Sequence, residues 1–317
     1  MRTDPTTLTP ATARALGLVI GVVADRVLGD PARFHPVAGM GTVAGRAERA
    51  LYADTRSAGV VFTAICVGSA VALGVPGDRR GGIVRCVTTA ASTWAVLGGT
   101  SLARVGGEVA DALERDDIDA ARALIPSLCG RDPMSLDGPG MVRAALESVA
   151  ENTSDATVAP LVWGAIAGAP GLLGYRMINT LDAMVGYRSP RYLRFGWASA
   201  RLDDVANHLP ARLTGAVIVG IGPRRGDALR AWRRDAHRHP SPNAGVVEST
   251  FAGALGVGLG GTTVYRHRTE ERPRLGDGPA PTLTDLHRAV ALSRRVQVAS
   301  AVLAAVSTLV VRRRQSP

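Results

Sequence analysis

Lysine is missing from this chain of 317 residues, and all 37 of its basic residues are arginine. A Walker-type phosphate loop needs a lysine, as does catalysis through a Schiff base, so both are excluded. A bound phosphate must therefore be held by arginine, by backbone N–H groups or by a metal ion. We attribute the all-arginine usage to compositional bias, which the abundance of alanine and glycine also indicates.

Cysteine and aromatic residues are also scarce. The cysteines, Cys66, Cys86 and Cys129, form no C-x-x-C pair, and we interpret them as inert packing residues. The net charge of +10 comes without an aromatic stacking pattern or a recognition-helix motif, so no nucleic acid partner is expected. Anionic lipid head groups and phosphorylated substrates fit the charge better.

Hydrophobic residues make up 46% of the chain, which indicates a membrane protein with large polar loops. Membrane segments are predicted at about 15–24, 58–76, 86–103 and 296–311. The first run lacks a cationic region and a cleavage site, so we expect it to remain as an anchor. A polar catalytic region is expected at about 104–295.

A further uncharged stretch, Ala156 to Tyr175, is interrupted by Gly168-Ala169-Pro170-Gly171. Each half is too short to span a bilayer, so the pattern predicts a re-entrant helical hairpin at about 156–184. Its ends, 152–156 and 179–183, would lie on the same side of the membrane. Both ends read Asn-Thr-x-Asp-Ala, which chance or a duplication explains.

The expected fold is all-α: one polytopic membrane domain over 1–317 with about four spanning helices, the re-entrant hairpin and large polar loops. Arginine flanks the apolar segments on both sides, so the charge rule does not settle the orientation. We expect the cell membrane as location and the cytoplasm as the side of the active site, because the polar motifs need one shared compartment.

Two polar motifs lie in the first half of the chain. Asp30 and His35 stand on a proline-stiffened turn, where they would present phosphate or magnesium ligands, or would merely be solvated. Arg143, Glu147 and Glu151 are spaced to share one helix face, which ends at Asn152 beside the hairpin. An ordinary solvated stripe is the alternative.

Two carboxylate motifs follow the hairpin. Asn179 and Asp182 share a helix face, and a carboxylate in so apolar a segment is costly unless it is paired, for example with Arg176, or binds a ligand. Asp203 and Asp204 offer hard oxygen ligands for Mg²⁺, with a charged helix N-terminus as the alternative.

The last motif runs from His239 to Glu248 through a loop with two prolines. Ser241 or Asn243 is expected to cap the helix that follows, leaving free N–H groups that would bind an anion. A plain capped helix start is the alternative.

Together these motifs resemble the adenosylcobinamide-phosphate synthase family, the CobD/CbiB membrane proteins of cobalamin biosynthesis. The resemblance is carried, in order along the chain, by the strings at 28–36, 131–137, 147–155, 179–187, 196–204, 239–245 and 252–261. Arg176 and Arg188 stand where such proteins often have lysine, which keeps the charge but changes the hydrogen-bond geometry.

The resemblance implies amide formation between the free propionate carboxylate of adenosylcobyric acid and the amine of aminopropanol phosphate or a related amino-alcohol phosphate. ATP and Mg²⁺ are implied as substrate or activator, and no tightly bound cofactor is expected. The implied partners are these substrates, the lipid bilayer and other cobalamin-pathway enzymes.

Roles follow from chemistry once that reaction is assumed. Arginine stays protonated and cannot deprotonate the amine, so the candidate bases are Glu151 and His239. The other assignments are a metal site at Asp182, Asp203 and Asp204, arginine clamps at Arg143, Arg176 and Arg201, and substrate contacts at Asp30, His35, Asn152, Asn179, Ser241 and Asn243.

Two other functions fit the sequence. A transporter of an anionic solute would also use such hairpins, but it would usually have more spans and a clear inverted repeat. A noncatalytic membrane scaffold for corrin enzymes would use the polar strings as docking surface, and it would not require carboxylates immersed at the hairpin.

Overall fold

The computed structural model describes residues 8–31, 35–265 and 268–313. Their helices and strands are, in chain order, α1 (Pro10–Leu28), α2 (Pro36–Leu51), α3 (Arg56–Arg79), α4 (Gly82–Val96), α5 (Gly99–Glu114), α6 (Ile118–Leu124), α7 (Gly138–Thr153), α8 (Ala159–Val185), α9 (Trp197–Ala206), α10 (His208–Ile221), α11 (Arg225–Asp235), α12 (Ala244–Leu255), β1 (Leu259–Tyr265), β2 (Arg268–Leu275) and α13 (Leu283–Arg313). A π-helical turn, Ser154–Val158, joins α7 to α8.

The described residues group into two compact units. The first unit contains those of 1–98, 159–207 and 300–317, and the second contains those of 99–158 and 208–299. The prediction of one membrane domain over the whole chain stays a prediction.

The first unit is organised around α3 and α8. Glycines on α3 let α8 approach closely: a Cβ atom added at Gly74 would lie 2.5 Å from the backbone nitrogen of Pro170. Phe62 and Cys66 of α3 lie in the buried core with Phe195. Glycine also sets the packing of α1 on α4, where a Cβ atom added at Gly17 would lie 2.6 Å from Cβ of Thr89.

Helix α8 reverses direction at Gly168, which has φ 64° and ψ −146°. The carbonyl group of Trp163 lies against Gly171, and a Cβ atom added at Gly164 would be 2.9 Å from Cδ2 of Leu172. Positions eight residues apart in a straight helix are separated by about 12 Å, so the two halves must fold back on each other. The turn falls at the glycine and proline residues that predicted it. The re-entrant placement of this hairpin in a membrane stays a prediction.

Three helical stretches of the described chain are long and apolar enough to cross a membrane: Arg56–Arg79, Gly138–Val185 and Leu283–Val310. They suggest a membrane protein, and they include the predicted segment 58–76 and all but the last residue of the predicted segment 296–311. The predicted segment 86–103 is not one helix, because α4 ends at Val96 and Leu97 adopts extended backbone with ψ 149°. The predicted segment 15–24 lies within α1.

The second unit is built on α7 and α12. Every residue of α12 is buried, and its one charged residue is Glu248. The chain is mostly helical, but the all-α expectation needs a correction, because β1 and β2 form an antiparallel two-stranded sheet. The β-branched residues of 262–264 favour a strand, and Gly260 and Gly261, both at φ near +90°, begin it with a bulge.

Candidate functional site

Three glutamates of the second unit, two of them buried, form one candidate site. We call it the glutamate cluster, and it consists of Glu147, Glu151 and Glu248 with Arg131, Arg272 and His239. Glu147 of α7 is 2% exposed and pairs with Arg131, which is 5% exposed. The other oxygen of Glu147 accepts the backbone N–H of Gly260 at 2.8 Å. Helix α7 is thereby attached to the start of β1.

Glu248 enters the cluster from α12. Its Oε1 lies 3.7 Å from His239 Nε2 and 3.7 Å from Arg272 Nη1, and it has no hydrogen-bond partner. Burial raises the pKa of Glu248 well above its usual value, and the charges of Glu147 and Glu151 raise it further. Arg272 and Arg131 oppose this shift. The site therefore favours the protonated form of Glu248, while the two arginines partly neutralise the charge of the other glutamates.

His239 lies at the edge of the cluster and is 8% exposed. Burial and the nearby Arg272 lower the pKa of His239 to about 4, so the imidazole is neutral near neutral pH. The N–H and the carbonyl oxygen of Ser241 lie 3.1 and 3.2 Å from Nδ1, and Nε2 faces Glu248. The lowered pKa makes this imidazole a weak base, which favours Glu151 over His239 as the base.

Two predicted binding residues of α7 make hydrogen bonds within the protein. Arg143 donates to the carbonyl oxygens of Gly260 at 2.7 Å and Thr262 at 2.6 Å, so it holds β1. The Asn152 amide donates to the backbone oxygen of Ser148 at 3.0 Å, one turn back on its own helix. Neither contact supports the phosphate clamp expected at Arg143 or a substrate contact at Asn152.

The first unit contains a second candidate site, an aspartate pair formed by Asp182 of α8 and Asp203 of α9. The Asn207 amide donates to Asp203 Oδ2 at 2.9 Å, and the hydroxyl of Tyr175 donates to Asn207 Oδ1 at 2.8 Å. Burial and the charge of Asp182 raise the pKa of Asp203 to about 7, although hydrogen bonds from Asn207 and Asn179 lower it. The sequence predicted Asn179, Asp182 and Asp203 as site residues, and the fold brings them together.

The donor set of the aspartate pair fits a hard cation. Asp203 Oδ1 is buried without a hydrogen-bond partner, and the neighbouring Asp182 raises the cost of ionising it. A divalent cation would stabilise both carboxylates, and carboxylate oxygens are the ligands that Mg²⁺ prefers. Asp204 is less suited, because its carboxylate lies 3.6 Å from Arg201 on the exposed side of α9.

Arg201 is 69% exposed in that pair, and Arg176 is partly exposed on α8. His35 Nε2 lies 3.1 Å from Asp30 Oδ1, and its Nδ1 accepts the N–H of Val37 at 3.1 Å, so this pair begins α2. Arg33 of the same motif lies outside the described residues.

The expectation of free N–H groups at the start of α12 is wrong. Ser241 Oγ accepts the N–H groups of Asn243 and Ala244 at 3.3 and 3.2 Å, as expected for a cap. The next two N–H groups, of Gly245 and Val246, are bonded to the carbonyl oxygens of Ser241 and Asn243. The first amides of the helix therefore already donate hydrogen bonds within the protein, and they are not available to bind an anion.

Sequence reasoning did not assign roles to Glu248, Arg272 or Arg131. The sequence did contain a signal for Glu248, which is the single carboxylate in the apolar run of 244–255. Burying such a carboxylate is costly in free energy, as it is for Asp182 in its own apolar segment. Arg272 stands among the charged residues of β2 and had no local signal. Only its strand pairing with Gly261 brings it toward α12.

The chain matches the family model described as CobD/Cbib protein over residues 18–293. A relative from Mycobacterium tuberculosis, named Cobalamin biosynthesis protein CobD, is 59% identical over 308 residues, which are 95% of this chain and 97% of the relative. A relative of the same name from Chromobacterium violaceum is 42% identical over 289 residues, which are 89% of this chain and 92% of the relative. No solved structure matches the chain.

Proposed function

This chain belongs to the CobD/CbiB family, and we propose that it acts in cobalamin biosynthesis as an adenosylcobinamide-phosphate synthase. It would join the free propionate carboxylate of adenosylcobyric acid to the amine of aminopropanol phosphate or a related amino-alcohol phosphate. The identity with proteins named Cobalamin biosynthesis protein CobD over nearly the whole chain carries this proposal.

The reaction needs an activated carboxylate. In our proposal the propionate oxygen attacks the terminal phosphorus of ATP, which gives an acyl phosphate and ADP. The amine then attacks the acyl carbon, the bond to phosphate breaks, and an amide and inorganic phosphate leave. The attacking nitrogen must lose one proton along this path.

The glutamate cluster supplies a group for that proton. Glu151 is partly exposed, whereas Glu147 and Glu248 are buried. The charges of Arg131 and Arg272 act on the pKa of Glu248, as do those of Glu147 and Glu151. In our proposal a proton that Glu151 accepts is therefore stabilised by the neighbouring carboxylates. We therefore assign Glu151 as the base, with Glu147 and Glu248 as positioning residues.

The aspartate pair supplies the metal site of the proposal. Mg²⁺ held by Asp182 and Asp203 would neutralise charge on the phosphate groups of ATP. One arrangement supports this site: Asn207, oriented by Tyr175, holds one oxygen of Asp203 and leaves the other oxygen available.

The three apolar helical stretches support a location in a membrane. We propose a multi-pass protein of the cell membrane whose active site faces the cytoplasm, where ATP is supplied. The lipid bilayer and, by proximity, other cobalamin-pathway enzymes are the further partners of this proposal.

The test is a mass-spectrometric assay of the detergent-purified protein with adenosylcobyric acid, aminopropanol phosphate and MgATP, omitting each component in turn. We expect the condensed amide and ADP only in the complete mixture, and much less of both with Glu151→Gln. Folded protein that forms no amide with any amino-alcohol phosphate would favour a scaffold or a transporter.

A further inference from the structure

The second unit contains a cavity that none of the roles above uses. It has a volume of about 490 Å³ and is lined by residues of α10, α11 and α12, of the turn Ala236–Arg238 and of the loop that begins at His239. Small-molecule sites in proteins usually measure roughly 300–1,000 Å³. We call it the arginine pocket, defined by Arg212, Trp232, Arg233, His237 and His239.

The lining of the arginine pocket is cationic. Arg212 and Arg233 face it, and no carboxylate is among the residues that line it. Arg212 donates only to neutral acceptors: the backbone oxygens of His208 at 3.0 Å and Pro242 at 3.2 Å, and Asn243 Oδ1 at 2.8 Å. Within residues 8–31, 35–265 and 268–313, no ion pair includes either arginine.

Neighbouring arginines of α11 show the contrast. Arg230 pairs with Asp227, and Arg234 donates to Asp235 at 2.7 Å and to Asp277 at 2.6 Å. Their charges are compensated within the protein. The two guanidinium groups of the pocket lack such compensation, which is the arrangement that an anionic ligand completes.

One wall of the pocket touches the glutamate cluster. The ring of His239 lines the pocket, and its Nε2 lies 3.7 Å from Glu248 Oε1. A ligand held in the pocket would therefore lie one side chain away from the carboxylates that the proposed function uses. Trp232 adds a flat apolar wall on which the rest of a ligand can pack.

We propose that the arginine pocket binds the phosphate group of a phosphorylated substrate through Arg212 and Arg233. This inference rests on the proposed function for the position of the pocket beside the base. Phosphate is the shared chemistry of two sources, the amino-alcohol phosphate and ATP. Phosphate fits because a dianion accepts hydrogen bonds from guanidinium groups, whereas no carboxylate lines the pocket to pair with a cation.

The experiment is isothermal titration calorimetry on the detergent-purified full chain without turnover. The probes are aminopropanol phosphate, aminopropanol without phosphate, a non-hydrolysable ATP analogue and inorganic phosphate. Arg233→Gln removes one charge from an exposed position, and Arg212→Lys keeps the charge but removes the planar fork. Arg225→Gln is the matched control for Arg233→Gln, since Arg225 is exposed on α11, the helix of Arg233, and does not line the pocket.

We expect at least one phosphorylated probe to bind, about tenfold or more weakly in Arg233→Gln and Arg212→Lys, and unchanged in Arg225→Gln. Tight binding of aminopropanol phosphate with no heat from aminopropanol identifies the amine substrate as the source, and preference for the ATP analogue identifies the nucleotide. Equal affinity of all three variants and the unmodified protein, or no phosphate binding by folded protein, overturns the inference.

The outcomes separate this inference from the proposed function. Phosphate binding that depends on Arg233, in a protein that forms no amide, keeps the pocket and rejects the reaction. Amide formation at an unchanged KM for both phosphorylated substrates in Arg233→Gln and Arg212→Lys keeps the reaction and rejects the pocket.

Discussion

Single buried carboxylates carry most of the chemical information in this chain. Asp203 and Glu248 each bring an ionisable group into surroundings with little water, and each has one oxygen without a hydrogen-bond partner. Burial of this kind destabilises a fold unless a proton, a cation or a ligand compensates it. The two carboxylates are compensated differently. Amide groups of Asn207 and Asn179 donate to Asp203, whereas the charges of Arg272 and Arg131 act on Glu248.

Substitution of the aspartate pair tests its metal role. We expect Asp182→Asn and Asp203→Asn each to raise the Mg²⁺ concentration for half-maximal amide formation about tenfold or more, since each removes an anionic ligand. Asp54→Asn, at an exposed ion pair with Arg194, serves as the control. Full activity with unchanged magnesium dependence in both pair variants would show that the metal lies elsewhere.

The pKa of His239 leads to a prediction on stability. Folding lowers this pKa from 6.5 to about 4, so the unfolded chain binds the proton more readily between these values. The stability of the protein relative to His239→Gln should therefore be greatest above pH 6.5 and decline as the pH falls toward 4. Thermal unfolding in detergent across this range measures it. Glu248 is present in both proteins, so its own titration affects both. A stability difference between the two proteins that does not change with pH would contradict the neutral, buried imidazole.

At the scale of elements, glycine controls how the helices of the first unit meet. Gly168 allows the reversal of α8, and Arg14 of α1 donates to the carbonyl oxygen of Ile166 at 3.1 Å just before it. The same guanidinium lies 3.3 Å from Asp78 at the end of α3. The turn is thus held by backbone geometry and by charge together.

Gly168→Ala should destabilise the protein by about 1–3 kcal/mol, because φ 64° with ψ −146° is a conformation that side chains rarely adopt. The added methyl group would also meet Asp78 Oδ1. Gly68→Ala is the control: Gly68 is helical, and an added Cβ atom meets nothing within 4 Å. Denaturation in detergent that leaves Gly168→Ala as stable as Gly68→Ala would argue against the reversal.

On the scale of the whole molecule, the exposed apolar surface indicates a lipid environment. Large hydrophobic residues on α3 remain exposed, among them Val60 at 47%, Ile65 at 48% and Leu73 at 73%. The last turns of α13 expose Val302 at 57% and Leu303 at 56%. Such surface on helices long enough to span favours burial in a bilayer.

Membrane fractionation checks this conclusion. We expect the chain to stay in the membrane pellet after an alkaline carbonate wash and to dissolve only with detergent. The wash releases proteins that are held by peripheral contacts, whereas apolar helices that cross the bilayer remain in it. A peripheral protein bound to the same membranes is the control and should be released. Release of this chain by carbonate would contradict the spanning helices.

Much of the fold followed from local pattern. Apolar runs at 58–76 and 296–311 fall within long helices, and the glycine and proline of 168–171 mark the reversal of α8. The break between α4 and α5 at Leu97 was not predicted, because the uncharged run of 86–103 hides it. The β1–β2 hairpin was missed because its second strand is strongly charged and gives no apolar alternation.

The sequence by itself determined the absence of lysine chemistry, the helical and apolar character, the family and the motif that pairs Asp182 with Asn179 on one helix face. These depend on composition, on order along the chain or on spacing within one helix. Only the tertiary structure decided that Glu248 and Arg272 join Glu147 and Glu151, and that Arg212 and Arg233 share a cavity with His239. Distances between side chains on separate elements depend on how those elements pack, and no periodicity within one segment encodes them.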